Sequence, residues 1–189
     1  MQFFASLKDC LARFGRDEDG TVSVEFVLVF PVFFGFFLMT YESGMISARH
    51  VMLERGVDLA VRDVRIGNLP NPTRDQLRER ICDVALIIPD CENQLEIELI
   101  RRDPETWTAV NVNARCVDRG EVNPTEIPLD TTANNQLMVL RACVRIDPIL
   151  PTTGLGKAIV DANSSSAAQG SYALISMAAF VVEPFKVQQ

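Results

Sequence analysis

His50 is the only histidine among 189 residues, so any Ser-His-Asp or Cys-His nucleophile system would have to be built around it. A His-rich metal site has no material at all. Placed in a predicted helix just past an apolar stretch, His50 reads as a partly exposed helix residue. Thr153-Gly154-Leu155-Gly156-Lys157 carries glycines but lacks the spacing of a phosphate cradle. Glu96 and Glu98 fall on the polar parity of a strand, the pattern of a solvated sheet face. Asp161, Asn163, Ser164, Ser165 and Ser166 offer oxygen ligands, yet their composition is that of a polar loop. The formal charge is −7 and no basic stripe is interleaved with aromatics, which argues against nucleic acid. The chain therefore reads as a non-enzyme with no cofactor, no metal and no small-molecule substrate.

Cysteine chemistry is the more informative. Cys82, Cys91, Cys116 and Cys143 follow the apolar stretch and Cys10 precedes it. Four on one side suit two disulfides in an oxidising compartment, while a lone thiol on the other side stays reduced. Zinc is the weaker alternative, because no close C-x2-C pair occurs. A turn around Pro89 would bring Cys82 and Cys91 within bridging reach. Pairing Cys116 with Cys143 is harder: Cys116 shares parity with Val112 and Ala114, Cys143 with Arg141 and Arg145, so a strand-to-strand bond needs a bulge or different neighbours.

The elements that position these groups begin with the run from Gly20 to Tyr41. Only one carboxylate, Glu25, interrupts it, and Phe33, Phe34, Phe36 and Phe37 concentrate apolar surface there. As a helix, 21–41 would extend about 31 Å, the thickness of a hydrocarbon core. A carboxylate at that depth pairs, sits at the interface, or has a role. If the chain were cut after Gly20, Glu25 would lie four residues from a free amine, on nearly the same helical face. Residues 1–19 lack the apolar core and cleavage pattern of a secretory signal. Basic residues are about equally dense on both sides, so orientation rests on the cysteines, which favour a C-terminal part outside the cytoplasm.

Val57, Ala60, Val61 and Val64 continue the helical period beyond the span, and Gly67, Asn68 and Pro70 mark its end. Thr73 and Gln76 form a capping-box pair for a second helix with Leu77, Ile81 and Ala85 on one face. Period-two alternation then gives strands at 95–99 and 110–116, a third at 137–147 and a last at 172–182. Residues 118–135 read as a long loop, and 148–169 as an exposed excursion with one helical turn. The fold class is α+β: a long N-terminal helix, a short helix and an antiparallel sheet of about four strands. The domains are a leader (1–20), a transmembrane helix (21–41), a helical extension (42–67) and a head (68–189).

Gly20-Thr21-Val22-Ser23-Val24-Glu25-Phe26, then Pro31 inside the apolar run and Glu42 with Gly44 at its end, resembles the TadE-like pseudopilins of the tight-adherence (Tad) pilus system. The closing Ala178–Pro184 stretch is similar too. The resemblance implies cleavage by a prepilin peptidase between Gly20 and Thr21, and makes Glu25 the fifth mature residue, with a role in subunit registration and processing. Pro31 becomes a kink in the transmembrane helix. Implied partners are inner-membrane lipid, the peptidase, other pilins or pseudopilins and the Tad secretion machinery. The N-terminus would be cytoplasmic and the head periplasmic. Thr21 to Val24 depart from the Ala-rich sequence usual after that glycine, and the D-x-S-x-S metal motif of larger relatives is absent. The alternative is an unprocessed single-pass protein whose periplasmic head binds or senses an envelope component.

Overall fold

The computed structural model describes residues 21–105, 114–120, 128–130, 135–162 and 169–184. The leader with Gly20 and Cys10, positions 110–113 of the expected second strand, most of the 118–135 loop and Asn163–Ser166 lie outside them. Two compact units divide the chain, Met1–Thr40 and Tyr41–Gln189.

Helix α1 runs Thr21–Arg65, with Pro31 inside it. Pro31 has no N–H, so one backbone bond of the helix is missing there. The helix stops where expected: Gly67 takes φ +83°, and Asn68 N–H and Leu69 N–H both donate back to the Asp63 carbonyl. Only a residue tolerating the left-handed region closes a helix this way at low cost.

α2 (Arg74–Cys82) opens on the expected capping box, with Gln76 N–H donating to Thr73 Oγ1 at 3.3 Å and Thr73 N–H to Gln76 Oε1 at 2.9 Å. It ends three residues before Ala85, which stays buried in the turn that follows. One turn of helix, α3 (Cys91–Gln94), leads into β1 (Leu95–Arg102). β2 (Leu137–Ile146), α4 (Gly154–Ala162) and β3 (Tyr172–Val181) complete the set. The single helical turn expected between β2 and β3 is thus a nine-residue helix.

The described residues form one antiparallel sheet of three strands in the order β1-β2-β3. The expected second strand is corrected at 114–116, which is irregular. This segment is joined to β2 by the Cys116–Cys143 disulfide, with Cα atoms 5.1 Å apart. The parity conflict between the two cysteines disappears, because Cys116 belongs to an irregular strap rather than a strand. Arg145 Nε donates to the Val117 carbonyl at 2.8 Å, and Arg119 Nε to Gln94 Oε1 at 2.8 Å, so the strap is also held by guanidinium groups. The second disulfide, Cys82–Cys91, has its Cα atoms 5.7 Å apart.

One sheet face carries Leu95, Ile97 and Leu99 beside Leu140, Ala142 and Val144, and then Leu174 and Phe180. Leu53, Val57, Ala60 and Val64 of α1 and Leu77 and Ile81 of α2 belong to the same core. On the other face, Glu96 and Glu98 are not solvated as the alternation implied. Arg74 pairs with Glu96 and Arg141 with Glu98, and the four side chains are between 6% and 16% exposed. Removing either member would strand a buried charge, which is costlier than the pair's net worth suggests.

α1 meets the end of α2 at Gly56, where a Cβ would lie 2.8 Å from the Ile81 carbonyl oxygen. Gly44 has nothing within 4 Å of that position. Gly56→Ala is expected to lower stability by about 1–2 kcal/mol, overpacking outweighing the gain in helix propensity. Gly44→Ala should leave stability unchanged or raise it by up to about 1 kcal/mol. Denaturant unfolding of the full chain in detergent reads both, and equal effects would contradict the packing assigned to Gly56.

Candidate assembly site

The amino-terminal unit contributes the apolar half of α1. Phe26, Val27, Leu28, Val29, Val32, Phe33, Phe36 and Phe37 are 58–69% exposed. Phe26, Phe30 and Phe34 stack along one face, with centroid spacings of 5.0 and 5.6 Å, and Phe37 continues the row at 6.4 Å. The helix is long and apolar enough to cross a membrane, with a mean hydropathy of 2.0 in its best window and none of that window buried. Thr40 Oγ1 donates to the Phe36 carbonyl at 2.9 Å, so its hydroxyl is satisfied within the helix itself, as an apolar solvent demands. Glu25 is exposed and lines a shallow apolar concavity with Phe26, Val29, Phe30 and Phe33. The structure therefore puts Glu25 and the phenylalanine row on one connected surface.

In the second unit, the remainder of α1 is amphipathic in an unusual way. Glu42, Ile46, Arg49, Leu53, Val57, Ala60 and Val64 follow one another at steps of three and four and turn inward together. This is the stripe a packed helix presents to its core, except that two positions are charged. Glu42 is 1% exposed. Its carboxylate faces Leu150 N–H at 3.5 Å and the Thr153 hydroxyl at 3.3 Å. Thr153 also caps α4, accepting from Gly156 N–H at 3.1 Å, and lies 2.8 Å from the Leu150 carbonyl. Gly156 is required here, because a Cβ would stand 2.4 Å from the Leu150 oxygen. The Thr153–Lys157 segment is thus a helix start fitted against a tight turn.

Two turns along, Arg49 is 8% exposed and donates to the Tyr172 hydroxyl at 3.2 Å, while its Nε has no partner among the described residues. Burial pushes the Tyr172 hydroxyl above its ordinary value of 10.0; Arg49 opposes the shift, and Glu42 and Asp147 add to it. His50, next on the helix, lies with Nε2 3.1 Å from the Ile175 carbonyl and Nδ1 3.8 Å from Glu54. Near the helix end, Arg80 Nε donates to Asp63 at 2.6 Å and holds that carboxyl below its usual 3.8. Arg65 donates to Glu183 at 2.9 Å.

Of the residues singled out in the sequence, Cys82–Cys91 and Cys116–Cys143 are brought together as bonds. Glu25 and Pro31 lie on α1, in the other unit from the Glu42–Arg49–Tyr172 cluster. That cluster was not anticipated. Its signal was present in the seven-residue interval from Glu42 to Arg49, in phase with the apolar stripe.

Residues 20–62 match the family model of TadE-like proteins. The stretch is TadE-like, as the pattern from Gly20 to Gly44 implied, and the match begins on that glycine. No curated protein and no solved structure matches the chain.

Tyr172→Phe removes the partner of a buried guanidinium and is expected to cost about 1–3 kcal/mol at neutral pH. Because folding raises the Tyr172 value, wild-type stability from this group is fully present below pH 10.0 and is lost as pH rises through the folded value. Thermal unfolding between pH 7 and 11 should show the gap between the two proteins narrowing only at the alkaline end. A constant gap would remove Tyr172 ionisation from the account.

Proposed function

We propose that this chain, with its TadE-like segment, is a minor pseudopilin: a structural and assembly component of a Tad-type pilus. It is held in the bacterial inner membrane by the first half of α1, with its head in the periplasm. The observation that carries the reading is the family match over 20–62, which starts on Gly20. A prepilin peptidase cuts between Gly20 and Thr21 and removes the leader. Glycine exposes the backbone to the protease, and Asp17, Glu18 and Asp19 keep the leader out of lipid.

The geometry supports an assembly role for the first half of α1. Among the described residues its phenylalanines have no ring partner other than one another, which suits cover by neighbouring helices or lipid. Glu25, at the end of the same surface, neutralises the Thr21 ammonium of its own chain or of a neighbour, which offsets the cost of a carboxylate near the hydrocarbon. Pro31 leaves a carbonyl unpaired and loosens one turn, giving the helix a kink with which to fit its neighbours. The two disulfides suit an oxidising compartment for the head.

Intact-mass measurement and N-terminal sequencing of the membrane fraction should give a protein starting at Thr21. An intact Met1 end would favour an unprocessed anchor carrying a sensing or binding head. Glu25→Ala should leave membrane insertion intact and impair pilus assembly; full piliation with the variant would take Glu25 out of the mechanism.

A further inference from the structure

Glu42 follows Tyr41, the last residue of the apolar run, and its side chain fixes what stands beside α1 at that level. In a helix the Cα–Cβ bond tilts toward the N-terminus, so the Glu42 carboxylate is aimed back toward Tyr41 rather than onward. Leu150 N–H and the Thr153 hydroxyl meet it there, at 3.5 and 3.3 Å. The turn at Leu150 and the start of α4 are therefore held at the end of the segment whose length matches a hydrocarbon core. Glu183 N–H is tied to the Arg65 carbonyl at the opposite end of the head, about 34 Å farther along the helix.

The chain held at that level is uncharged, and the head uses only part of it for packing. From Pro148 to Gly156 no charged residue occurs. Ile149 is 37% exposed, and Leu150 and Leu155 are half-buried. In α4, Gly156 is buried and Ile159 packs on the core, which sets the inward side of the helix. Successive residues turn about 100°, so Leu155, Ala158 and Ala162 share one flank of that inward side, while Lys157 and Asp161 share the other. Leu155, Ala158, Ile159 and Ala162 follow the i, i+3, i+4, i+7 pattern of an apolar stripe. The stripe is wider than the part the head buries, since Ala158 and Ala162 are exposed.

We infer that the turn at Ile149–Leu150 and the Leu155–Ala158–Ala162 flank of α4 rest on the head-side surface of the lipid bilayer, a second and shallow membrane contact beside the spanning helix. The inference rests on the reading that 21–41 spans the membrane. Lipid is the occupant because the covalent chain leaves no distance to cross: Glu42, which seats the turn, is one residue past the apolar run. Glu42 is then the joint, a carboxylate kept out of hydrocarbon and satisfied by the turn it holds. An interfacial helix buries its apolar side about 5–10 Å into the boundary between headgroups and acyl chains, and Lys157 and Asp161 on the opposite flank stay in water. These two charges cancel, so the contact is apolar in kind and does not need anionic lipid.

The test places spin labels on single cysteines of the full chain, with Cys10→Ser as background, in phosphatidylcholine vesicles. Ala158→Cys and Ala162→Cys report the apolar flank, Asp161→Cys the polar one, Arg55→Cys the exposed side of α1 and Phe33→Cys the span; all but Phe33 lie at exposed positions of the head, where a label does not disturb packing. Cys82–Cys91 and Cys116–Cys143 stay bonded and unlabelled. Collision with a water-soluble nickel chelate, present on both sides of the vesicle, should be at least about threefold weaker at 158 and 162 than at 161 and 55, and collision with oxygen stronger. Replacing about a third of the lipid by phosphatidylglycerol, or adding salt to about 0.5 M, should leave these ratios unchanged. The inference is overturned if the labels at 158 and 162 are as accessible to the chelate as those at 161 and 55 while the label at 33 is shielded, or if salt abolishes the contrast. A label at 33 that the chelate reaches freely overturns the spanning reading, and the inference with it.

Discussion

The head's core is completed by a helix whose other half joins no buried cluster among the described residues. Leu53, Val57, Ala60 and Val64 of α1 lie in the same buried cluster as Leu77, Ile97, Leu140 and Phe180. A three-stranded sheet with one short helix offers little apolar surface to bury by itself, and an isolated small sheet is marginal in water. Contributing its second half, α1 supplies the missing layer. Three devices sit around that contact: Gly56 lets α2 approach, Asp63–Arg80 joins the two helices, and Glu183 is tied to Arg65.

One continuous helix therefore carries two kinds of surface. From Phe26 to Phe37 its side chains are apolar on all sides and exposed, as lipid or neighbouring helices require. From Glu42 onward one stripe turns inward while Glu54, Arg55, Asp58 and Arg62 remain outside. Glu42 and Arg49 lie where the character changes. Both are buried polar groups held by few bonds, Glu42 by Leu150 and Thr153 and Arg49 by the Tyr172 hydroxyl.

Much of this arrangement was legible in the sequence because it is local. The Thr73–Gln76 capping box, the Gly67 stop and the alternation of Leu95, Ile97 and Leu99 depend on neighbours a few residues away, and the structure reproduces each. So does the Cys82–Cys91 bond, spanned by a single turn. What alternation could not convey was the second face of the sheet. Glu96 and Glu98 read as solvated by period, but Glu96 pairs with Arg74 and Glu98 with Arg141, and Arg145 beside them donates to Val117 of the 114–120 strap, all partners distant in sequence. Cys116 was misplaced onto a strand for the same reason. The family pattern was legible from Gly20 to Gly44 because it is a local run of residue types, and it lies within the matched residues 20–62.

The central claim is that residues 53–64 of α1 and the sheet form one cooperative core. Native-state hydrogen exchange on the full chain in detergent tests it most directly, since amides that open together share one opening free energy. The account predicts that the α1 amides from Leu53 to Val64 exchange with the same free energy and denaturant dependence as those of Met138–Ile146 in β2. Exchange of the α1 amides several kcal/mol more easily, with the sheet still protected, would contradict it.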